Sequence, residues 1–231
     1  MLPIVILAGG LATRMKPITE KIPKSLIEVN GKPFILHQLD YLKSQGIQNI
    51  VLCIGHLGHM IEYLIGDGKA LGLNIQYSLD GDKLLRTGGA IKKALPLLSK
   101  DFFVLYGDSF LPIDYKNVED AYVSSKKNAL ITVMKNNNQW DKSNVEFASG
   151  TLVEYNKHNP NQRMHYIDYG LSILNQSIFD AYLENESFDL SDLYHKLSLH
   201  NHLAGFETFE RFYEIGSQDG LKETENYLSK V

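Results

Sequence analysis

The chain has few of the features that mark secreted, membrane or nucleic-acid-binding proteins. Cys53 is its single cysteine, so no internal disulfide can form and an oxidised secreted scaffold is disfavoured. The apolar run at residues 2–8 is too short to span a bilayer, and it lacks the basic flank of a signal peptide. The net charge is -4, without the basic stripe of a nucleic-acid binder. We therefore expect a cytoplasmic protein that binds neither a membrane nor nucleic acid.

Alternating secondary-structure patterns fill the first half of the 231 residues. They predict strands at residues 3–7, 49–54, 73–77 and 102–106, with helical segments between them. The second half shows strand patterns at 129–134, 145–148, 151–155 and 166–174, and helix patterns at 179–183, 190–199 and 221–228. This arrangement predicts one α/β domain over residues 1–231, with a Rossmann-like, mixed but mostly parallel sheet covered by helices on both faces.

A glycine loop follows the first predicted strand directly. Gly9 and Gly10 carry no Cβ, so their backbone N–H groups can approach phosphate oxygens closely. Arg14 can supply a planar fork for phosphates, and Lys24 can return to the same rim of the sheet. Neither G-x-x-x-x-G-K-[ST] nor G-x-G-x-x-G occurs here, so both the P-loop and the dinucleotide fingerprint are missing.

Six segments in order resemble the sugar-1-phosphate nucleotidyltransferase family. The pattern L-A-G-G-x-x-T-R-M-x-P-x-T begins at Leu7, and P-K-S-L-I-x-V-x-G-K-P-F ends at Phe34. Later matches are L-R-T-G-G-A at 85–90, Y-G-D-S at 106–109, V-E-Y-N-K at 153–157 and F-Y-E-I-G-S at 212–217. Because the matches are collinear over nearly the whole chain, they carry more weight together than any one of them.

The resemblance implies a reaction between a nucleoside triphosphate and a sugar 1-phosphate, with Mg²⁺ as cofactor. It implies a glycosyltransferase-A-like sheet in which residues 1–110 mainly bind the nucleotide and 111–231 the sugar. The catalytic residues it implies are Arg14 and Lys24. Its nucleotide-binding residues are Leu7, Ala8, Gly9, Gly10, Thr13, Arg14, Thr87 and Gly88. Its sugar-phosphate-binding residues are Gly107, Lys157 and Asp168, and its metal ligands are Asp108 and Glu214.

Several alternatives stay open at this point. The resemblance favours GTP with a heptose or mannose 1-phosphate, and it also allows UTP or CTP with an amino-sugar 1-phosphate or another phosphorylated acceptor. A non-catalytic nucleotide-binding regulatory module is a second class, supported by Glu214 in place of the usual aspartate. Ala12 and Arg86 also depart from the family pattern, which affects substrate choice more than reaction class. A homo-oligomer is compatible with the sequence.

Overall fold

The computed structural model of the protein describes residues 1–10, 17–81 and 84–230. The α-helices within these ranges are α1 (Phe34–Ser44), α2 (Gly58–Ile65), α3 (Arg86–Ala94), α4 (Tyr115–Ser125), α5 (Leu190–Leu199) and α6 (Gln218–Leu228). The strands of the first half are β1 (Ile4–Leu7), β2 (Glu28–Val29), β3 (Lys32–Pro33), β4 (Asn49–Ile54), β5 (Asn74–Leu79), β6 (Asp101–Tyr106) and β7 (Ser109–Phe110). The remaining strands are β8 (Ala129–Lys135), β9 (Val145–Ala148), β10 (Thr151–Tyr155), β11 (Tyr166–Asn175), β12 (Leu203–Thr208) and β13 (Tyr213–Glu214).

A nine-stranded mixed sheet forms the centre of the described residues. Its parallel part has the order β5-β4-β1-β6, so β1 lies between β4 and β6. β11 pairs antiparallel with both β6 and β8, and β12 lies parallel to β8. The β9–β10 hairpin joins the sheet at the start of β11. The predicted α/β class with a mostly parallel sheet is thereby confirmed.

Alternating side chains of β1 show how the sheet is covered on both faces. Ile4 and Ile6 are fully buried in one apolar cluster, together with side chains of α1, α2 and α4. Val5 points to the opposite face, where it joins a second cluster with side chains of α3 and α5. A strand buried on both faces needs a continuous apolar run, and the sequence of β1, IVIL, supplies one.

A smaller layer packs near the carboxyl end of β6. The two-residue strands β7 and β13 pair there, and α6 packs beside the β2–β3 hairpin. Their shared core contains Val29, Phe34, Phe110 and Ile215, which are all buried. This layer brings the turn that carries Lys24 and the strand that carries Glu214 to the same side of the molecule.

Two differences from the sequence expectations concern local structure. The helix predicted at 179–183 is wrong, because Gln176–Phe179 forms a single 3-10 turn in which the Asn175 side chain accepts from the Ser177 N–H. Tyr182 then stacks on Phe188 at 3.9 Å between ring centroids, which turns the chain back. Helix α4 and strand β12 were not predicted, although Asp114 caps α4 by accepting from the Asn117 N–H at 3.1 Å.

No helix among the described residues is long and apolar enough to cross a membrane.

Candidate active site

Three parallel strands end beside one another and hold the candidate site. After β1, the Ala8 N–H donates to the Cys53 carbonyl of β4 at 2.9 Å. After β6, the Gly107 N–H donates to the Leu7 carbonyl at 2.9 Å. Ligands of parallel α/β sheets bind beyond the carboxyl ends of the strands, so these contacts define the rim where a substrate is expected.

Glycines allow the strand ends to approach so closely. A Cβ on Gly107 would lie 2.9 Å from the Leu7 carbonyl oxygen, and a Cβ on Gly9 would lie 3.1 Å from the Gly55 nitrogen. A Cβ on Gly55 would in turn lie 2.9 Å from the Gly9 carbonyl oxygen. By contrast, a Cβ on Gly10 would have no neighbour within 4 Å among the described residues. Gly9, Gly55 and Gly107 therefore serve backbone packing at the rim, whereas Gly10 has no such close contact with the described residues.

A cavity of about 380 Å³ opens at this rim. Its floor is mainly apolar, and ionisable groups lie around it. The described lining residues are Leu7, Ala8, Gly9, Gly10, Lys24, Ser25, Cys53, Asp80, Leu84, Arg86, Thr87, Ala90, Tyr106, Gly107, Asp108 and Asp189. The volume and the mixed lining are typical of a small-molecule site. Thr13 and Arg14, which the sequence predicts for this cavity, lie outside the described residues.

A lysine–aspartate pair marks one end of the cavity. The 3-10 turn Lys24–Leu26 presents Lys24, whose Nζ donates to Asp108 Oδ2 at 2.8 Å. Asp108 follows β6 directly, and its carbonyl accepts from the Ile215 N–H at 3.0 Å. The side chains of Lys24 and Asp108 remain 15% and 33% exposed, so a ligand in the cavity can reach both charges. The structure brings both residues to this rim, and their catalytic and metal-binding roles stay predictions.

Glu214 lies close to this pair without bonding to it. A Cβ on Gly216 would be 2.6 Å from Glu214 Oε2, 3.1 Å from Lys24 Nζ and 3.6 Å from Asp108 Oδ2. Glu214 Oε1 accepts from the Ser217 hydroxyl at 2.6 Å, and Oε2 accepts from the Gly216 N–H. The Glu214 carboxylate is thus held at the start of α6, near the Lys24–Asp108 pair.

The two carboxylates beside Lys24 fit a magnesium ion that also binds water and substrate phosphates, rather than a metal ion whose ligands all come from the protein. No group of three or more His, Cys, Asp or Glu side chains in the described residues could hold a metal ion. Mg²⁺ commonly takes only one or two carboxylates and completes its shell with water and substrate phosphates. Asp108, whose carboxylate is one-third exposed, and Glu214, which is held at the start of α6, are the two carboxylates that could supply it.

Thr87 and Gly88 occupy different environments at the start of α3. Thr87 lines the cavity, and its hydroxyl accepts from the Leu190 N–H at 2.8 Å. Gly88 does not line it: its N–H donates to the Phe188 carbonyl at 2.9 Å, and a Cβ there would lie 2.2 Å from the Phe188 ring. Gly88 therefore packs α3 against the segment before α5 and is placed behind the cavity wall.

Arg86 is held in an unusual backbone conformation at the first residue of α3. Its φ of 59° lies in the left-handed region that favours glycine. The guanidinium pairs with Asp189 at 3.0 Å, and Asp189 also accepts from Thr87 at 3.4 Å. Asp189 thus fixes the edge of the cavity from the second half of the chain, a contact that the sequence analysis missed.

Asp168 lies in the half of the chain that the sequence predicts to bind the sugar, at an irregularity in β11. The register of β11 shifts between Asp168 and Ser172, and Gly170 adopts a φ of 106° there. Asp168 Oδ1 accepts from the Gly170 N–H at 3.0 Å, so the carboxylate also stabilises the bulge. Neither Asp168 nor Lys157 is among the residues that line the cavity.

Burial, opposed by nearby donors, sets the protonation of Asp168. Burial raises the pKa of Asp168 to about 6, while the Gly170 N–H, the Lys157 charge and the Tyr155 hydroxyl lower it. The same carboxylate contributes, after burial, to raising the pKa of Tyr155 and of the cavity residue Tyr106. Lys157 itself is exposed and acts on Asp168 through its charge. Tyr106, which lines the cavity, is thus near enough to Asp168 to be affected by its charge.

Several lining residues escaped the sequence analysis. Asp80 follows strand β5 directly, a position that could have identified it. Cys53 was predicted as a small core residue; it is buried as expected, with Sγ near the Ala90 carbonyl at 3.6 Å, and it also lines the cavity. Ser25 is buried, and its hydroxyl has no hydrogen-bond partner among the described residues. Only the folded chain shows that these side chains converge.

A parallel α/β sheet with a glycine-rich rim, a lysine and a carboxylate pair defines a phosphate-handling, nucleotide-binding class of enzyme. The nucleotidyl transferase family model matches residues 4–228, so the chain belongs to the nucleotidyl transferase family. The resemblance to sugar-1-phosphate nucleotidyltransferases seen in the sequence is confirmed.

Three similar proteins carry names that specify three different nucleotides. D-glycero-alpha-D-manno-heptose 1-phosphate guanylyltransferase of Campylobacter jejuni is 31% identical over 81% of this chain and 82% of its own. N-acetylmuramate alpha-1-phosphate uridylyltransferase of Neisseria meningitidis is 45% identical, but only over 48% of each chain. A putative glucose-1-phosphate thymidylyltransferase structure from Bacillus anthracis aligns with a TM-score of 0.88 at 18% identity, covering 100% of this chain and 96% of that one. The structural likeness supports the fold alone.

Proposed function

We propose that the protein transfers a guanylyl group from GTP to a heptose or mannose 1-phosphate. The observation that carries this proposal is the Lys24–Asp108 pair, which lies at one end of a 380 Å³ cavity beyond the carboxyl ends of three parallel strands. A phosphate-rich substrate needs cations and a metal-binding carboxylate at one point, and this pair offers both. The similarity to a guanylyltransferase over most of both chains favours GTP.

In this reaction a phosphate oxygen of the sugar 1-phosphate attacks the α-phosphorus of GTP. The new P–O bond forms as the bond to the β-phosphate oxygen breaks, and the electron pair leaves with pyrophosphate. No proton needs to be abstracted from the acceptor, because its phosphate is already ionised at neutral pH. The site must therefore mainly position two anions and offset their repulsion.

The chain's own residues divide this work between them. Asp108 and Glu214 would hold Mg²⁺, which supplies charge neutralisation and orients phosphate oxygens when bound. Lys24, whose ammonium group is already aimed at this point, stabilises negative charge on the reacting phosphates. Gly9 and Gly10 offer backbone N–H groups to the triphosphate, and Arg14, which lies outside the described residues, is assigned to the same phosphates from the family pattern. Asp168 accepts hydrogen bonds from sugar hydroxyls, and Lys157 contacts the sugar phosphate.

A uridylyltransferase that acts on an amino-sugar 1-phosphate is the second candidate. The observation in its favour is the 45% identity to a uridylyltransferase, which is higher than for the guanylyltransferase but spans only 48% of the chain. The two candidates share the reaction and differ in the nucleobase and the acceptor. CTP is a weaker variant of the same candidate, since none of the three relatives named above is a cytidylyltransferase.

The test is pyrophosphate release with Mg²⁺, with the common nucleoside triphosphates crossed against a panel of sugar 1-phosphates. We expect release only when GTP and a heptose or mannose 1-phosphate are present together. Release with UTP and an amino-sugar 1-phosphate alone would establish the second candidate instead. A folded protein that binds a nucleotide but releases no pyrophosphate with any pair would contradict both and favour a regulatory module. Asp120→Asn, an exposed aspartate of α4 paired with Lys116, serves as the control for aspartate removal.

A further inference from the structure

Helix α1 presents three polar side chains to the chain segment that follows β6. Gln38, Tyr41 and the C-cap residue Gln45 are spaced three and four residues apart, so they lie on one face of the helix. The Tyr41 hydroxyl donates to the Ile113 carbonyl at 3.0 Å, and the Gln45 side-chain carbonyl accepts from the Tyr115 N–H at 3.1 Å. This face of α1 therefore binds the backbone of that segment.

Gln38 makes the contacts of this face that lie nearest to Asp108 in the chain. Its Nε2 donates to the Tyr106 carbonyl at 2.9 Å and to the Ser109 carbonyl at 2.7 Å. These carbonyls lie on either side of the Gly107–Asp108 step, so one amide group joins both ends of the turn that carries Asp108. Gln38 is only 2% exposed, so water does not compete for either bond.

The orientation of the Gln38 amide follows from its two partners. Both are carbonyl oxygens, which only accept, so the NH₂ group must face them and Oε1 must point away. Oε1 is buried without a hydrogen-bond partner among the described residues, and a buried acceptor that lacks a donor destabilises a fold. An apolar side chain of this size would avoid that cost. The two bonds from Nε2 are therefore what the amide contributes at this position.

The same helix also holds the turn that carries Lys24. The Phe34 N–H, at the start of α1, donates to the Ile27 carbonyl at 3.0 Å, and the Ile27 N–H donates to the Lys24 carbonyl at 2.9 Å. One rigid element thus supports both members of the Lys24–Asp108 pair. Gln38 is its contact with the aspartate side of that pair.

We propose that Gln38 positions Asp108 for metal binding by fixing both ends of its turn. The proposal deepens the proposed function and rests on its assignment of Asp108 as a ligand of Mg²⁺. Because Mg²⁺ requires near-ideal octahedral geometry, its affinity is sensitive to the placement of the carboxylate. Gln38 bonds to the backbone of the turn and is not among the described residues that line the cavity, so it is a positioning residue.

The first test measures how much Mg²⁺ strengthens nucleotide binding, which requires no turnover. The dissociation constant of GTP, or of UTP if the unaltered protein binds it more tightly, is measured by calorimetry with and without Mg²⁺. The ratio of the two constants is the gain from the metal. Gln38→Met keeps the approximate volume of the side chain and removes its donors, so we expect this gain to fall about tenfold. An unchanged gain in the folded variant would overturn the proposal.

Tyr41→Phe is the matched control for Gln38→Met. It removes one hydrogen bond between the same face of α1 and the same segment, at Ile113 rather than beside Asp108. Loss of that bond should lower the thermal unfolding temperature by about 2–4 °C and leave the gain from Mg²⁺ unchanged. An equal fall of the gain in both variants would show that the whole segment had loosened, and it would overturn the positioning role.

Gln38→Asn covers the case in which Gln38→Met does not fold. It keeps the amide group, but its side chain is one methylene shorter and can no longer bridge the two carbonyls in the same way. We expect the gain from Mg²⁺ to fall at least about threefold. A folded Gln38→Asn protein with the full gain would count against the proposal as directly as an unaffected Gln38→Met protein.

The two proposals fail in different ways. A smaller gain from Mg²⁺ in Gln38→Met, without turnover of the unaltered protein on any sugar 1-phosphate, would uphold the positioning role and contradict the proposed function. If turnover occurs, the Mg²⁺ concentration for half-maximal rate should rise about tenfold in Gln38→Met. Turnover with the same Mg²⁺ dependence in both proteins would uphold the proposed function and overturn the positioning role. No gain from Mg²⁺ in the unaltered protein would contradict both.

Discussion

The proposed nucleotide side of the site is built largely from backbone, whereas the proposed acceptor side, around Asp168, is built from side chains. On the nucleotide side, Gly9, Gly55 and Gly107 let three strand ends meet at distances that exclude a Cβ. On the acceptor side, Asp168 is surrounded by aromatic side chains, and Tyr155 and Tyr194 form an edge-to-face pair with centroids 5.5 Å apart. Backbone N–H groups suit a triphosphate common to all nucleotides, while side chains can distinguish one sugar from another.

This contrast predicts that the two sides respond differently to substitution. Changes at charged residues of the nucleotide side should affect the rate of transfer for every acceptor. Changes at the acceptor side should affect the apparent affinity for the sugar 1-phosphate and leave the nucleotide untouched. The two sides adjoin at Tyr106, which lines the cavity and whose pKa is raised by burial and by Asp168.

The largest effect is expected from Asp108→Asn. Removal of the carboxylate charge beside Lys24 takes away a proposed metal ligand from a residue that is one-third exposed, so the core is not disturbed. We expect kcat to fall about 10³-fold, with unchanged thermal unfolding. Mg²⁺-dependent turnover at an undiminished rate in this variant would remove Asp108 from the metal site. Asp120→Asn should retain full activity.

Asp168→Asn should produce a smaller effect confined to the acceptor. Loss of a charged acceptor for sugar hydroxyls should raise the KM for the sugar 1-phosphate about 10–100-fold, with little change in the KM for the nucleotide. A matching rise in both KM values would contradict the division into two sides. The measurement is a pair of saturation curves, one for each substrate.

The pH dependence of acceptor binding gives a second result for the same residue. Because the pKa of Asp168 is raised to about 6, the carboxylate becomes protonated as the pH falls through that value. We expect the KM for the sugar 1-phosphate to rise below pH 6 in the unaltered protein and to stay flat in Asp168→Asn. The folded state binds this proton more tightly than the unfolded state does, because the pKa is raised on folding. The free energy of unfolding therefore falls as the pH rises from about 4 to 6. The free energy of unfolding should therefore lose that pH dependence in the variant.

Gly107→Ala tests whether the nucleotide side depends on close backbone contact. The new Cβ would lie 2.9 Å from the Leu7 carbonyl and 3.0 Å from the Ala8 Cβ, so β6 and β1 must separate at the rim. We expect the free energy of unfolding to fall by about 1–3 kcal/mol, measured by urea denaturation. In the matched variant Gly10→Ala the new Cβ meets no described residue within 4 Å, so we expect stability to change by less than about 0.5 kcal/mol. Equal stabilities of the two variants would contradict the packing argument.

The smallest effect is expected from Glu214→Gln. Both carboxylate oxygens already accept from donors at the start of α6, so the side chain would keep its place after the charge is lost. We expect kcat to fall by about tenfold or less if Glu214 acts on the metal through water. A loss as large as that of Asp108→Asn would instead show direct coordination. Ser217→Ala, which removes the α6 cap and one donor to Glu214, should cost about 1 kcal/mol of stability.

Much of the nucleotide side was predictable because its elements are local in sequence. The apolar run of β1, the glycines after it and an aspartate directly after β6 all lie at strand ends, where parallel sheets bind ligands. Lys24 was placed at the same rim from its motif, and the structure brings it within 2.8 Å of Asp108. Thr87 was predicted for the cavity and lines it, but the adjacent Gly88 serves packing against Phe188.

The sequence by itself determined the alternation of strands and helices, the glycine rim and the identity of the charged residues near it. These features follow from side-chain periodicity and from backbone freedom, which act over a few residues. Only the tertiary structure decided that Asp189 fixes Arg86, that Asp168 lies among Tyr155 and Tyr194, and that Asp80 joins the cavity. Such contacts join residues far apart in the chain, and they depend on packing that no local pattern encodes. In the proposed function, the choice of substrate rests on such long-range contacts, while the family membership follows from the local motifs.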